Sequence, residues 1–279
     1  ASMKKHLSTI LLVLIFIIGL CILLYPAVSD YWNAQVQSRA IVDYEAALQN
    51  LTQEDYTAYF EEADKYNAAI REIPYPMMYF DELDVREDLT LYEDILNING
   101  NGIFGYINID KIGVHLPVYH GTSDAVLNVA VGHIEGTSVP AGGPSTHTVL
   151  SAHRGLPSAK LFTDLDEMEI GDVFTITVLD RVLTYEVHEI QIVLPNEVDS
   201  LYVQDGEDLC TLVTCTPYGI NTHRLLVHAH RIETVEPKPE IYVPADAYMI
   251  DSLIVTPIVA IPMLLALLVY VLIKYRKKR

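Results

Sequence analysis

Residues 209–232, LCTLVTCTPYGINTHRLLVHAHRI, decide the fold, because they contain two short apolar runs separated by a loop. LCTLVTC and RLLVHAHRI have the length and the β-branched or apolar content of strands. The loop between them contains Pro, Gly and Asn, which are typical turn residues. The segment therefore predicts one strand that ends at Cys215 and a returning strand that opens with Arg224.

Short runs of the same kind recur upstream, starting at Gly102. They follow one another at short spacing, with Gly, Pro, Asn and Asp between them, which favours a mainly β fold over alternating β/α units. The pattern predicts an antiparallel sheet closed into a barrel over residues 102–235, a length that is ample for one core. The runs are GIFGYINID, VHLPVYH, HTVLSAH, DVFTITVL and RVLTYEVHEIQIV.

Before the barrel, residues 26–73 are predicted to form a helical arm. Positions 29–70 lack Gly and Pro, and apolar residues recur there at spacings of three and four. Pro74 and Pro76 break this pattern. The acidic residues 74–101 have no clear period, which indicates a linker or a segment laid over the barrel.

Two apolar runs near the chain ends have the properties of membrane spans. Residues 7–25 carry no charge and are long enough to cross a bilayer as a helix. Residues 253–273 form a second run, in which two prolines are tolerated more readily than in a soluble helix. Residues 236–252 then link the barrel to this second span.

Charge at the chain ends predicts the topology. Lys and Arg concentrate in residues 1–6 and 274–279, so the positive-inside rule makes both termini cytoplasmic. We therefore expect a protein that crosses the cell membrane twice, with the lipid bilayer as a partner and the barrel outside the cell. A cleaved signal peptide is the alternative for the first span, but PAVSD is a poor cleavage site.

The part of the chain between the two spans is strongly acidic. Seven of the 18 Lys and Arg residues lie at the ends, which leaves 11 against 37 Asp and Glu. Nucleic acid is therefore not an expected partner, because phosphate binding relies on basic surface.

Cysteine use gives no sign of a disulfide framework. Cys21 lies in the first span, and Cys210 and Cys215 are five residues apart in one predicted strand. They are predicted to point to opposite faces, and their pairing would require a chain reversal. At least one external cysteine is therefore predicted to be a free thiol, for which burial as a small apolar residue is the usual role.

Three residue types suited to acyl transfer occur at strand ends. His153 opens the loop HRGLPS after one strand, Cys215 ends another, and Arg224 begins the next. A thiol nucleophile needs a proton acceptor and a donor or cation near the oxygen that becomes negative. From spacing alone, a catalytic set and a surface histidine with a strand-edge arginine both remain open.

The motifs around these residues resemble the sortase family of bacterial surface transpeptidases. TLVTC matches the family's TLxTC strand, with Arg224 nine positions after the cysteine and HRG about 60 positions before it. Over residues 102–231 the resemblance is narrower, to the class C sortases that assemble pili, of which a carboxy-terminal span is also typical. The stretches that carry it are YHGTSDAVLNVAVGHIEGTSVPAGGPSTH, SAHRGLPSAKLFTDLDEMEIGD and TLVTCTPYGINTHRLLV.

This resemblance implies both a fold and a reaction. The fold is a sortase-type closed barrel of about eight strands with short helices. Cys215 would be the nucleophile, His153 the general acid and base, and Arg224 the residue that holds substrate and stabilises the oxyanion. The implied reaction cleaves an LPxTG-like sorting signal between Thr and Gly through a thioester, then joins it to an amine, usually a pilin lysine. Pilin subunits would be the partners, and no cofactor or metal is needed because a thioester preserves acyl activation.

Other site candidates are weaker. Asn221 and Thr222 lie in the loop before Arg224 and are candidates for positioning substrate, although turn chemistry explains the asparagine equally well. Thr214 is a further candidate for that role, but its predicted direction, opposite to that of its neighbour Cys215, favours a structural role.

The expected lid departs from the family pattern. Class C sortases commonly cover the site with a segment that carries an Asp-Pro-aromatic motif, and no Asp-Pro pair occurs in residues 74–97. Tyr79, Phe80 and Asp81 offer an aromatic group and a carboxylate in another order. We expect residues 74–97 to cover the cleft, with these three residues as the candidates for its anchor.

Three other functions compete with this interpretation. His228 and His230 share a strand face, but they have no third metal ligand at a convincing spacing, and no EF-hand pattern for calcium occurs. A hydrolytic cysteine protease would use the same nucleophile and base. A non-enzymatic two-pass receptor or scaffold would instead keep Cys215 buried and inert.

Overall fold

The computed structural model describes residues 2–73, 89–234, 260–266, 268–270 and 273. The chain divides into two compact units. One contains residues 1–32 and 237–279, and the other is Asn33–Glu236.

The first predicted span lies in helix α1 (Ser2–Leu48), a 47-residue helix that contains Pro26. Its portion Val13–Leu48 is long and apolar enough to cross a membrane. Side chains such as Ile15, Ile18 and Ile22 are exposed on it, as a lipid-facing surface requires. The predicted helix at residues 7–25 is therefore present.

The second predicted span is described only in part. A shorter apolar helix is seen at Ala260–Tyr270, while the other residues of 253–273, apart from 273, and the whole of 236–252 lie outside the described residues. A second crossing therefore stays a prediction.

Two helices cover the residues predicted as a helical arm. After α1 ends at Leu48, Thr52 caps helix α2 (Gln53–Glu72). The Asp55 backbone N–H donates to Thr52 Oγ1 at 3.3 Å, and the Thr52 N–H donates to the Asp55 carboxylate at 2.7 Å. This reciprocal capping box satisfies two backbone donors that the helix cannot. One face of α2, including Phe60, Tyr66 and Ile70, is buried in the same core cluster as the barrel side chains.

Eight strands form a closed barrel in the order β1-β2-β3-β4-β7-β8-β6-β5. This confirms the mainly β fold and the closed barrel, and a short helix α3 (Asp124–Leu127) connects β2 to β3. The strands are β1 (Ile103–Ile109), β2 (Val114–Tyr119), β3 (Val131–His133), β4 (Thr146–Ser151), β5 (Val173–Val178), β6 (Arg181–Val193), β7 (Asp208–Thr216) and β8 (His223–Ile232).

The sheet is mixed, which corrects the prediction of an antiparallel one. The pairs β2–β3 and β4–β7 are parallel. Parallel neighbours need a longer crossover, and the chain between β4 and β7 supplies one through β5 and β6. As a result, β4 and β7 end on the same side of the barrel.

The end of α1 is fastened to the barrel through one tyrosine. Tyr44 is fully buried, its hydroxyl donates to the Phe104 carbonyl at 2.9 Å, and it accepts from the Leu179 N–H at 2.8 Å. A buried aromatic side chain of this size contributes about 1.5–3 kcal/mol through apolar burial alone. Helix α1 therefore contacts both β1 and the turn between β5 and β6 through Tyr44.

Candidate functional site

Cys215 and Arg224 lie opposite each other at one end of the barrel. They are partners in the antiparallel pairing of β7 with β8. Directly opposed residues have Cβ atoms about 4.5–5.5 Å apart and point to the same face of the sheet. The thiol and the guanidinium group therefore emerge side by side, and both residues are half-buried.

The parallel pairing of β4 with β7 brings His153 to the end of the barrel at which Cys215 lies. Partners in this pairing, from Thr146 with Asp208 to Ser151 with Val213, keep a constant offset of 62 positions. The pairing continues beyond β4, because the Ala152 N–H donates to the Val213 carbonyl at 3.2 Å. His153 follows the end of β4 by two residues, so it lies at the end of the barrel where β7 reaches Cys215.

Thr214 holds the backbone just before His153. Its side chain is 1% exposed, and Oγ1 donates to the Ala152 carbonyl at 2.8 Å. The Thr214 side chain therefore points into the interior and has a structural role, whereas its neighbour Cys215 is half-buried.

The loop between β7 and β8 supports the arginine through backbone oxygens. Arg224 Nη1 donates to the carbonyls of Asn221 at 3.2 Å and His223 at 3.0 Å. Asn221 has a φ of +59°, a left-handed conformation in which asparagine is enriched. Its side chain and that of Thr222 are exposed, and Thr222 Oγ1 lies 2.9 Å from His223 Nδ1. These two candidates thus border the open end.

The loops that follow β4 and β7 pack against each other. Gly155 has a φ of +73°, and a Cβ atom there would lie 2.7 Å from the ring of Tyr218. The Arg154 guanidinium is 5.9 Å from the centre of the same ring and pairs with Asp166 at 2.5 Å. Sequence reasoning missed the roles of Tyr218 and Asp166, and the glycine after His-Arg was the only signal for this contact.

The two cysteines of β7 differ in environment. Both are free thiols, but Cys210 is fully buried and Cys215 is half-buried. Burial, followed by the nearby Asp208 carboxylate, raises the pKa of the Cys210 thiol well above its usual value. Cys210 is therefore an inert core residue, and Cys215 is the thiol at the open end.

One of the two histidines considered as metal ligands, His228, belongs to a hydrogen-bond network. Thr211 Oγ1 lies 2.7 Å from His147 Nε2 and 2.8 Å from His228 Nδ1, and all three residues are buried. Burial lowers the pKa of His147 to about 4 and also lowers that of His228. Within the described residues, no group of three His, Cys, Asp or Glu side chains is arranged to hold a metal ion. His228 is thus buried, but on the face of β8 opposite to the core residues Val227 and Ala229.

Only part of the candidate lid can be compared with the structure, because residues 74–97 include a described part, residues 89–97, in which Tyr92, Ile95 and Leu96 are buried in the same core cluster as the barrel side chains. Tyr79, Phe80 and Asp81 lie in residues 74–88, which are outside the described part of the chain.

Solved structures of similar chains include several class C sortases. The crystal structure of sortase C1 from Streptococcus agalactiae is 44% identical, with a TM-score of 0.65, and the match covers 71% of this chain and all of that one. The Clostridium perfringens sortase C, solved with the C-terminal cell wall sorting motif, is 41% identical, with a TM-score of 0.60 and the same coverage.

Sequence comparison gives the same family. Residues 107–232 match the family described as the sortase domain. Sortase A of Streptococcus agalactiae serotype III (strain NEM316) is 31% identical over 137 residues, and sortase D of Bacillus subtilis (strain 168) is 28% identical over 131 residues. The matches cover 48% and 46% of this chain, and 55% and 63% of these two curated relatives.

Proposed function

This chain belongs to the sortase family, and we propose on that basis that it is a membrane-anchored cysteine transpeptidase of the pilus-assembling kind. One observation supports the proposal: Cys215 and Arg224 are directly opposed across β7 and β8, and β4, which His153 follows, ends at the same end of the barrel. Nucleophile, proton carrier and cation are the three parts that acyl transfer through a thiol requires.

In the first step, the Cys215 thiolate attacks the carbonyl carbon between Thr and Gly in an LPxTG-like sorting signal. The C–N bond breaks as the C–S bond of a thioester forms. His153 donates a proton to the departing glycine amine, which leaves the imidazole neutral. The half-buried position of Cys215 suits this role better than the full burial of Cys210 does.

Arg224 acts on the charge that develops in this step. The carbonyl oxygen becomes negative as the tetrahedral intermediate forms, and a positioned cation stabilises it. The carbonyls of Asn221 and His223 already hold the guanidinium group, so little reorganisation is needed during the reaction. We propose Asn221 and Thr222, which are exposed in the same loop, as contacts of the sorting signal.

In the second step, an amine attacks the thioester and gives its proton to His153. An amide bond forms, the C–S bond breaks, and Cys215 is regenerated. We propose a pilin lysine as this amine, so that the product is an isopeptide bond. The C. perfringens neighbour was solved with a sorting motif, and a Streptococcus pneumoniae sortase C structure, 38% identical to this chain, is described as providing insights into pilin substrate specificity.

Membrane attachment would serve this reaction. Helix α1 provides one segment of sufficient length and apolar character, and we propose the carboxy-terminal run as a second span with both termini in the cytoplasm. An enzyme held in the same membrane as its substrates meets them at a raised effective concentration.

Incubation of the full chain in detergent with a sorting-signal peptide and a pilin bearing candidate lysines tests the proposal. Mass spectrometry should find a thioester on Cys215 and an isopeptide-linked product. Cys215→Ala should form neither, whereas Cys210→Ala, which changes a buried thiol, should retain both. Cross-linking by Cys215→Ala would refute the nucleophile. Release of cleaved peptide without ligation would favour a protease, and an unreactive Cys215 would favour the receptor or scaffold.

We also propose that residues 74–97 cover the cleft, with Tyr79, Phe80 and Asp81 as contacts. Deletion of residues 74–88 should then speed labelling of Cys215 by a thiol reagent. Unchanged labelling and activity would remove this part of the proposal.

A further inference from the structure

A cavity lies at the opposite end of the barrel from Cys215. Its volume is about 390 Å³, and α2, the loop before β4 and the ends of β6 and β8 line it. Asp208, the first residue of β7, contributes to its wall. At about 3.3 Å per residue along that strand, the cavity is about 23 Å from Cys215.

Three arginines from separate elements line this cavity: Arg71 of α2, Arg181 at the start of β6 and Arg231 near the end of β8. Such a concentration is unusual for this chain, whose formal net charge is −19. A negative protein surface repels anions, so an anion would be held only where positive charge is gathered locally.

The cavity wall is braced by hydrogen bonds. Asn67 of α2 donates through Nδ2 to the Val139 carbonyl at 3.2 Å and accepts from the Val139 N–H at 2.8 Å. The Gly143 N–H donates to Asp208 at 2.8 Å, and Arg181 Nη1 lies 3.4 Å from the Ala141 carbonyl. The loop at 139–143 is therefore held in place on both sides.

Arg231 has donor capacity that its protein neighbours leave unused. Nη2 donates to the Val182 carbonyl at 3.3 Å, while Nη1 is buried and has no hydrogen-bond partner among the described residues. A buried donor without an acceptor costs about 1–3 kcal/mol.

Arg181 is oriented by an aromatic ring. Its guanidinium carbon is 3.4 Å from the ring centre of Phe60, which supports the planar group from one side. Stacking leaves the edge of a guanidinium group free to donate hydrogen bonds.

The two acidic residues of the cavity offset only part of this charge, because three arginines stand against two carboxyl groups. Asp208 accepts from the Tyr185 hydroxyl at 2.9 Å and from the Gly143 N–H. Asp64 also lines the cavity. Burial raises the pKa of both carboxyl groups, although the nearby Arg181 acts to lower that of Asp64 and Arg231 that of Asp208. In the described part of the chain, no ion pair within 4.0 Å joins either carboxylate to the three arginines.

We propose that this cavity binds a tetrahedral oxyanion, either a phosphate or a phosphate monoester with a small polar substituent. Guanidinium groups that approach from three elements match an anion with three or more acceptor oxygens, whereas a planar carboxylate is satisfied by one bidentate arginine. The volume exceeds that of a single phosphate and leaves room for a substituent. This site does not depend on the catalytic proposal.

Calorimetric titration of the full chain in detergent with inorganic phosphate, methyl phosphate and succinate, at constant ionic strength, tests the site. Phosphate and methyl phosphate should bind and raise the thermal unfolding midpoint, because a ligand that binds only the folded state stabilises it. Arg71→Gln and Arg181→Gln should each weaken phosphate binding about tenfold or more. Lys65→Gln, which removes an exposed charge from α2 outside the cavity, should leave it unchanged.

Three results would overturn the proposal. One is the absence of phosphate binding by the unaltered chain. Another is an equal loss in Lys65→Gln, which would indicate general charge attraction. The third is succinate binding as tight as that of phosphate, which would replace the tetrahedral anion with a carboxylate. Circular dichroism confirms that each variant is folded, so a loss of binding reports on the site.

Discussion

Cys215 and Arg224 are nine positions apart in the chain but directly opposed across β7 and β8. The turn between them makes this possible, because Asn221 adopts a left-handed conformation there. The Asn221 carbonyl also accepts a hydrogen bond from Arg224 Nη1. The loop that reverses the chain is therefore also the support of the charged group beside the thiol.

Replacement of Arg224 should separate charge from hydrogen-bond geometry. Arg224→Ala should lower kcat/KM by about 10²–10³, the usual loss when an oxyanion donor is removed. Arg224→Lys keeps the charge but loses the planar fork and should recover only part of the activity. A fluorogenic sorting-signal peptide provides the assay, and Arg39→Ala, at an exposed position on α1, is the control. An Arg224→Ala enzyme within twofold of the unaltered one would contradict the assigned role.

Thr214→Val should reveal the link between the core and His153. The change keeps the shape of the side chain but removes the hydrogen bond to the Ala152 carbonyl, at a cost of about 1 kcal/mol in the free energy of unfolding. Because the backbone before His153 would shift, we expect kcat to fall about tenfold while KM changes little. Thr175→Val on β5 should leave kcat unchanged. A normal kcat in Thr214→Val would show that this hydrogen bond does not position the histidine.

Gly155→Ala should disturb the contact between the two loops at the site. The new Cβ atom would lie 2.7 Å from Tyr218, and the φ of +73° is unfavourable for alanine. Gly206→Ala is a matched control, because its φ is +83° but a Cβ there meets no atom within 4 Å. We expect both variants to lose about 1 kcal/mol of stability and only Gly155→Ala to lose activity. Tyr218→Ala combined with Gly155→Ala should restore part of that activity, and no recovery would contradict the steric explanation.

Acid should destabilise the fold through two buried histidines. Burial lowers the pKa of His133 to about 3 and that of His147 to about 4, below the value of about 6.5 for an unfolded histidine. Above pH 6.5 both states are neutral and the stability is complete. As the pH falls below 6.5, these histidines bind protons in the unfolded chain but stay neutral in the folded one. The free energy of unfolding therefore falls by about 1.4 kcal/mol per pH unit for each group.

Thermal unfolding between pH 7.5 and 4 measures this effect. The midpoint should fall over that window, and His147→Gln, although less stable at pH 7.5, should show a shallower fall. His115→Gln, at an exposed position on β2, should keep the slope of the unaltered chain. An equal slope in His147→Gln would show that this histidine does not contribute.

The barrel and the Cys215–Arg224 pair were accessible from sequence because both depend on local features. Alternating short runs and turn residues indicate strands, and two strands joined by a short loop tend to pair. The division of the arm into two helices was not predicted, although Thr52 and Asp55, which form the capping box of α2, are only three positions apart in the sequence. The packing of α2 in the barrel core was not predicted, because nothing in α2 itself specifies which surface it contacts.

The position of His153 could not be predicted from local features, because it depends on the parallel pairing of β4 with β7. Those strands are separated by β5, β6 and a long crossover, and no local pattern records a pairing over such a distance. From the residues alone, a catalytic histidine and a surface histidine remained equally open, and only the family resemblance separated them.

By itself, the sequence determined a mainly β domain beside apolar segments, a free thiol at a strand end and an arginine at the start of the next strand. Backbone propensity, periodicity and short loops specify these features within a few residues. Tertiary structure alone decided which of two cysteines is open and which is buried, and where His153 lies relative to Cys215. It also gathered Arg71, Arg181 and Arg231 around one cavity. Burial and long-range pairing create these relationships, because they arise only when distant segments pack together and exclude water.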